Sequence, residues 1–419
     1  MSSFKTDYVS DFLSLYGSFS IFLFSAISLV IPSGFSYGPV LLVIGSFSLL
    51  FYFNRLKLGV YDWIFIGIIF AYCMINFFFN YIHELPLRSY DRPSRFLLAI
   101  PAYLFLIVFP PKKIFFIVGI TTGVIATSIM SFYQQYTNTQ DWGGRSNGLM
   151  NPIQFGDISL LLVAFLLVGY LKYRHSTSAV KIIYFLTLIF GFIGSLFASA
   201  RGGWLAIPVI LLIFLKTAKF KTAVLMYASL ICFCIILCFM FLQPDNIINS
   251  RIIQAKSEIS NYLNGNDDGR LTSLTARIKM WENGLVAFKD QPLKGWGSLD
   301  SIKKAYPSRW QELNHEDNYG HLHNEYIDEL VKRGLVGLLG LLALYLVPLL
   351  YFYRLTKVTT DTTLQFFSAS GVILILSVMI FGLTQTFMAH NSGVIIFIFY
   401  LVILKAYCRN HNAFTQNEL

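Results

Sequence analysis

Residues 321 to 337 read "HLHNEYIDELVKRGLVG", placing two histidines, three carboxylates and two cations directly before an apolar run. His323 is the group here best suited to proton transfer, because an imidazole starting from a pKa of about 6.5 exchanges protons near neutral pH. Glu325, Asp328 and Glu329 come early and Lys332 and Arg333 late, the order that complements a helix macrodipole, so a short interfacial helix is predicted. The positive end of that helix disfavours imidazolium and keeps His323 neutral, as a general base requires; interfacial hydrogen bonding is the simpler alternative. Gly334, Gly337 and Gly340 recur every three residues and predict close helix packing. On a helix His321 would point away from His323, and with Glu325 the spacing is not the His-Glu-x-x-His of zinc enzymes, so no metal is expected.

A second group of residues has the chemistry of anion binding. The segments "HELPLRSYDRPSR", "DWGGRSNGLMNP" and "ASARGGW" lie between apolar runs, and their only cations are Arg88, Arg92, Arg95, Arg145 and Arg201. A planar guanidinium grips two oxygens at once, which suits a phosphate better than a lysine does. For Arg88 and Arg92 a place at the lipid headgroup level explains the choice equally well. Arg201 sits in a tight "SARGG" turn between apolar runs, where a cation drawn toward the bilayer centre costs roughly 3 kcal/mol; the glycines beside it would let a ligand approach the backbone. Arg270 and Arg277 share one face of a predicted helix with Trp281, a surface suited to a diphosphate and a sugar ring, although Arg270 also reads as ordinary amphipathic patterning. Asp157 and His390 fall near the ends of apolar runs and are read as polar lining.

The elements that must position these residues are membrane helices. Of 419 residues, 55% are hydrophobic and 13% charged, and the mean hydropathy is +0.60, far above a soluble globule. The net charge of +10 is spread as punctuation between apolar runs, which argues against a nucleic-acid partner. Twelve runs of near-bilayer length are predicted, at 12–31, 37–53, 61–81, 96–110, 114–133, 153–171, 180–198, 203–217, 221–242, 335–353, 363–385 and 392–408. The first continues without a small-residue cleavage site and reads as a span, not a signal peptide. With the N-terminus cytoplasmic, alternate short loops and the terminal tail, which holds Lys405 and Arg409, carry Lys and Arg as the positive-inside rule demands. Both termini are then cytoplasmic. The domain plan is helices over 1–242, a helical loop domain on the outer face over 243–334, and helices with a tail over 335–419. Within the loop, "SRIIQAKSEISNYL" and "SLTARIKMWENGLVAF" carry helical periodicity and "DQPLKGWGS" breaks it. Cys73, Cys232, Cys234 and Cys238 lie in apolar runs and Cys408 in the tail, leaving no loop cysteine for a disulfide or zinc site.

At this point the residues carry a resemblance. "HNEYIDELVKRGLVG" resembles the signature of the bacterial O-antigen ligase family: His, then Asn, Ser or Gln, nine residues, and Gly-x-x-Gly, matched by His323, Asn324, Gly334 and Gly337. "TARIKMWENGLVAFKDQPLKGWG" is similar to the stretch preceding that motif in the wider ligase and polymerase superfamily, with Arg277, Trp281, Pro292, Gly295 and Gly297 at matching places. "SARGGW" and "GGRSNGLMNP" resemble the family's arginine-bearing loops. The resemblance implies an all-α polytopic fold with about twelve spans and a periplasmic helical loop domain. It implies a multi-pass inner-membrane glycosyltransferase of lipopolysaccharide biosynthesis, with its active site on the periplasmic face. The donor would be O-antigen on undecaprenyl diphosphate and the acceptor lipid A-core, with membrane lipids around and no cofactor or metal. His323 would be the base; Arg201 and Arg277 would stabilise the leaving diphosphate; Arg145 and Asn324 would join them in binding the donor. Direct attack by the acceptor hydroxyl would invert the anomeric centre.

Two other activities compete with this expectation. An O-antigen polymerase would share the donor and the arginine-bearing face, and the complete histidine motif favours the ligase. A lipid-linked glycan flippase or transporter would place ionisable groups at mid-span, whereas these runs hold almost none at their centres.

Overall fold

The computed structural model describes residues 2–139, 144–172, 178–200, 202–215, 273–311, 313 and 320–417. The apolar run 221–242, the segment "SRIIQAKSEISNYL", Arg201 and Arg270 lie outside these residues. Among the described residues all regular structure is helical. In chain order the helices are α1 (Ser2–Ile27), α2 (Gly34–Ser46), α3 (Leu49–Tyr52), α4 (Val60–Ile82), α5 (Asp91–Val108), α6 (Lys113–Thr137), α7 (Pro152–Lys172) and α8 (Ser178–Ala198). They continue with α9 (Ala206–Leu215), α10 (Ser273–Asp290), α11 (Leu299–Ala305), α12 (Pro307–Trp310), α13 (Glu325–Val358), α14 (Thr362–Phe381) and α15 (Asn391–Asn417). Among the described residues seven helices are long and apolar enough to cross a bilayer, or eight if the bent pair at residues 34–55 forms one span. The chain is an all-α, multi-pass membrane protein.

In lipid every backbone polar group must be satisfied within its own helix, so packing is left to side chains and close backbone approach. α15 is the central helix: it packs on α14 and α5, and its residues from Val394 to Leu404 are almost completely buried. α1 packs against α2 and α6, α7 against α8 and α14, and α13 against α4 and α14. Large apolar side chains such as Phe47, Trp63, Phe78, Ile129 and Leu339 remain exposed on the outside of this bundle, as a lipid-facing surface permits.

The two ends of the bundle differ in chemistry. At one end Asp62 near the start of α4 accepts hydrogen bonds from Tyr103 Oη at 2.6 Å, Lys405 Nζ at 2.9 Å, Arg409 Nε at 3.3 Å and the Gly59 N–H at 3.0 Å. Lys405 also lies 4.4 Å from the centre of the Tyr351 ring. This cluster joins α4, α5, α13 and α15. It corrects the sequence expectation for Lys405 and Arg409: they belong to helix α15, which runs on to Asn417, and the buried Asp62 carboxylate draws them inward. Cys408 likewise lies buried in α15, not in a tail. The other end of the bundle carries the His323 segment.

Asp62 and Lys405 are both almost fully buried, so removing one charge strands the other. Asp62→Asn is expected to cost on the order of 3–5 kcal/mol, and Asp62→Asn combined with Lys405→Met to regain most of that loss. Thermal unfolding in detergent checks this, and equal losses in the single and double variants would count against it.

Candidate active site

The segment bearing His323 is held by caps that the rest of the chain supplies. α13 is two helices joined at Gly334, whose φ of 65° and ψ of −163° interrupt the helical path. The first, residues 325–333, is the short helix predicted from the charge order. Its Asn324 cap accepts the N–H groups of Tyr326 at 3.1 Å and Ile327 at 3.0 Å through Oδ1, and donates Nδ2 to Leu383 O at 3.0 Å. Its other end is closed by "PLKGWG": the N–H groups of Trp296 and Gly297 donate to Val331 O and Lys332 O, and Leu335 N–H donates to Pro292 O. A Cβ on Gly334 would lie 2.3 Å from Leu293 O, and one on Gly295 2.5 Å from Lys332 O. Gly340 does serve packing, against Ile75 of α4, but Gly334 serves the bend, so the glycine spacing is not a uniform packing face.

His323 stands just outside this helix, in left-handed backbone with φ of 51°. Its Nδ1 donates to Gln385 Oε1 at 2.6 Å, because an amide oxygen can only accept. The neutral ring therefore keeps its lone pair on Nε2. Gln385 Nε2 in turn donates to His390 Nε2 at 2.9 Å. The His321 ring meets that of His323 at 4.4 Å and that of His390 at 5.3 Å. The helical premise that set His321 and His323 apart is thus corrected: residues 321–323 are not helical, and the rings converge. Burial, followed by the nearby charge of His323, pushes His321 down to about 2. Burial, followed by Arg92, pushes His390 down to about 4. Both are neutral around pH 7. Among the described residues no three His, Cys, Asp or Glu side chains are arranged to hold a metal ion.

The arginines gather on a second feature. Arg145 Nε donates to Ala198 O at 2.8 Å, which seats its guanidinium on the turn leading to Arg201. The loop "GRSNG" is more than a plain turn: Gln134 Oε1 accepts the N–H groups of Asn147 and Gly148, and Ser146 N–H donates to Phe197 O. Asp157 on α7 is buried, and among the described residues neither of its carboxylate oxygens has a hydrogen-bond partner; Arg145 and Arg277 both act on it electrostatically. The "SARGG" glycines admit close approach of side chains from elsewhere in the chain. A Cβ on Gly203 would lie 2.1 Å from Asp157 Oδ1, and one on Gly202 2.0 Å from Thr384 Oγ1. Thr384 adjoins Gln385, so the arginine group and the His323 relay meet along one strip of chain.

Of the residues expected from sequence, the structure therefore brings Arg145 and Arg277 to one carboxylate and sets His323 beside the same region. Arg201 lies outside the described residues, between neighbours that touch Asp157 and Thr384. Asn324, expected among the donor contacts, has both ends of its amide engaged within the protein. Arg92 donates to Ala389 O and Arg95 pairs with Asp91, whereas Arg88 is exposed. Gln385 was hidden by the expectation that a span runs to residue 385; α14 ends at Phe381 and leaves it in a turn. Asp157 gave a signal, a carboxylate inside an apolar run, which is expensive unless it has a function.

Residues 185–342 match the family model described as O-antigen ligase, a span that includes Arg201, Arg277, His323 and Gly334. A Haemophilus influenzae protein, itself described as uncharacterized, is 31% identical over 387 residues, covering 88% of this chain and 93% of that protein. The chain belongs to the O-antigen ligase/polymerase family.

Proposed function

We propose that the protein is an O-antigen ligase, which transfers O-antigen from undecaprenyl diphosphate to a hydroxyl of lipid A-core at the periplasmic face of the inner membrane. The observation that carries this reading is the hydrogen bond from His323 Nδ1 to Gln385 Oε1, which leaves Nε2 as the proton acceptor in the residue that heads the family motif. The full-length plan is twelve spans, with the helical loop domain of residues 243–334 in the periplasm and both termini in the cytoplasm.

In the reaction, the acceptor hydroxyl gives its proton to His323 Nε2 as its oxygen bonds to the anomeric carbon. The bond from that carbon to the diphosphate oxygen breaks, and the lipid diphosphate leaves with the electron pair. Arg145, Arg201 and Arg277 stabilise the negative charge that develops there. Asp157 offsets the arginines while the donor is absent and holds Arg145 and Arg277 toward one another. A single displacement of this kind inverts the anomeric configuration and asks for no metal. The polymerase reading shares each of these steps and differs in the acceptor.

Reconstituted transfer with defined donor and acceptor, in the presence of a chelator, tests the reading: lipid A-core is expected to gain glycan, and formation of longer lipid-linked glycan alone would assign a polymerase. His323→Ala should abolish transfer while donor binding persists, and Gln385→Leu should lower kcat by ~10–100-fold through loss of the ring's orientation; near-normal turnover of either variant would remove the base assignment. The acid limb of the rate profile should titrate one group, with rate falling about tenfold per pH unit, because His321 and His390 stay neutral there. His321→Phe should leave that slope unchanged, and a steeper two-proton limb in the wild type would contradict it. Arg277→Lys and Arg201→Lys should each be poorly tolerated, since a point charge cannot replace a two-pronged grip. Wild-type donor KM in either variant would reduce that arginine to an interfacial anchor.

A further inference from the structure

A separate cavity of about 550 Å³ opens at the same end of the bundle, within the size range of ~300–1,000 Å³ typical of ligand pockets. Its walls come from α4, the start of α5, the short helix 325–333 and the loop before α15, and they include Asn76, Asn80, Arg88, Glu325, Glu329 and Thr386. Neither His323 nor Arg145 nor Arg277 lines it. The short helix explains the separation. Glu325, Asp328, Glu329 and Lys332 recur at helical spacing on the cavity face. Ile327 and Val331 occupy the opposite face, where they meet Gly284 of α10, the helix that carries Arg277. His323 stands at the head of this partition.

The polar atoms of the cavity decide what it could hold. Asn76, Asn80 and Glu325 are each more than nine-tenths buried. Asn76 Nδ2 donates to Tyr72 O and Asn80 Nδ2 to Ser89 O, while Glu325 Oε2 accepts Met388 N–H at 2.9 Å. Asn76 Oδ1, Asn80 Oδ1 and Glu325 Oε1 take no hydrogen bond among the described residues, so the floor offers spare acceptors. The rim offers a donor: Arg88 is exposed, with no hydrogen bond or ion pair among the described residues. Acids and cations share the lining, with Asp328 and Glu329 beside Arg92, Lys332 and Arg333, so donors and acceptors alternate there and an acyl chain would leave them unsatisfied. A polyhydroxylated ligand satisfies both, because each hydroxyl donates to the floor and accepts from the rim.

We propose that this cavity binds sugar rings of the acceptor glycan, on the side of the short helix away from Arg145 and Arg277, and that it delivers a hydroxyl to His323. Assignment of the sugar to the acceptor rests on the ligase reading; binding of a sugar does not.

The test measures binding of two probes to purified, full-length protein in nanodiscs: the lipid-free core oligosaccharide released from lipid A-core, and an undecaprenyl-diphosphate-linked glycan. Asn76→Leu and Arg88→Ala should each weaken oligosaccharide binding by about tenfold, and leave binding of the lipid-linked glycan as in the wild type. Arg277→Ala should do the reverse. In transfer assays the cavity variants should raise acceptor KM with donor KM unchanged. Because Arg88 is exposed and unpartnered among the described residues, Arg88→Ala should keep the wild-type unfolding temperature, so a loss there cannot be ascribed to misfolding. Wild-type oligosaccharide affinity in both cavity variants would overturn the proposal, as would weakening confined to the lipid-linked glycan. If the wild-type protein instead joins two lipid-linked glycans, the ligase reading fails separately. The same variants are then assayed for acceptor KM in that reaction, where an increase upholds a sugar-binding cavity and no change rejects it.

Discussion

The site depends on the capping of a single short helix. Helix 325–333 is too short to be stable alone, and each of its ends leaves backbone groups that need partners from elsewhere in the chain. Asn324 closes one end and ties it to the turn after α14; the backbone of residues 292–297 closes the other. These caps fix both the direction of the helix and the position of His323 immediately before it. Removing either cap would release His323 from this position. The family motif is therefore largely a motif of backbone geometry: its asparagine is a cap, its first glycine a bend, and its histidine the residue set at the head of the helix.

The same helix sorts charge. Its acids face the cavity, Asp328 and Glu329 paired at helical spacing with Lys332 and Arg333, and its apolar face rests on α10, the helix that brings in Arg277. Asp157, buried and without a hydrogen bond among the described residues, then collects the influence of Arg145 and Arg277 on the far side. Neighbouring arginines repel one another, and a carboxylate within reach of both lowers that cost. The opposite end of the bundle repeats the principle for structure alone, where one carboxylate, Asp62, joins four helices through Tyr103, Lys405 and the Tyr351 ring beneath it.

Much of this was legible in the residues themselves. Apolar runs of bilayer length determined that the chain is helical and membrane-embedded, because no other open structure satisfies its backbone in lipid. The order of acids and bases after His323 determined a short helix, and "DQPLKGWGS" marked where α10 stops, at Asp290. Of the arginines singled out from the sequence, Arg145 and Arg277 both act on Asp157. These features were readable because each depends on local spacing or on the cost of charge in lipid. What only the tertiary structure decided was which distant groups meet. Gln385 approaches His323 across 62 positions of sequence, Asp157 faces the turn at Gly203, and the start of α15 returns His390 to the same cluster. None of these contacts has a period or a local composition to betray it, because they arise from where helices end and how their ends pack.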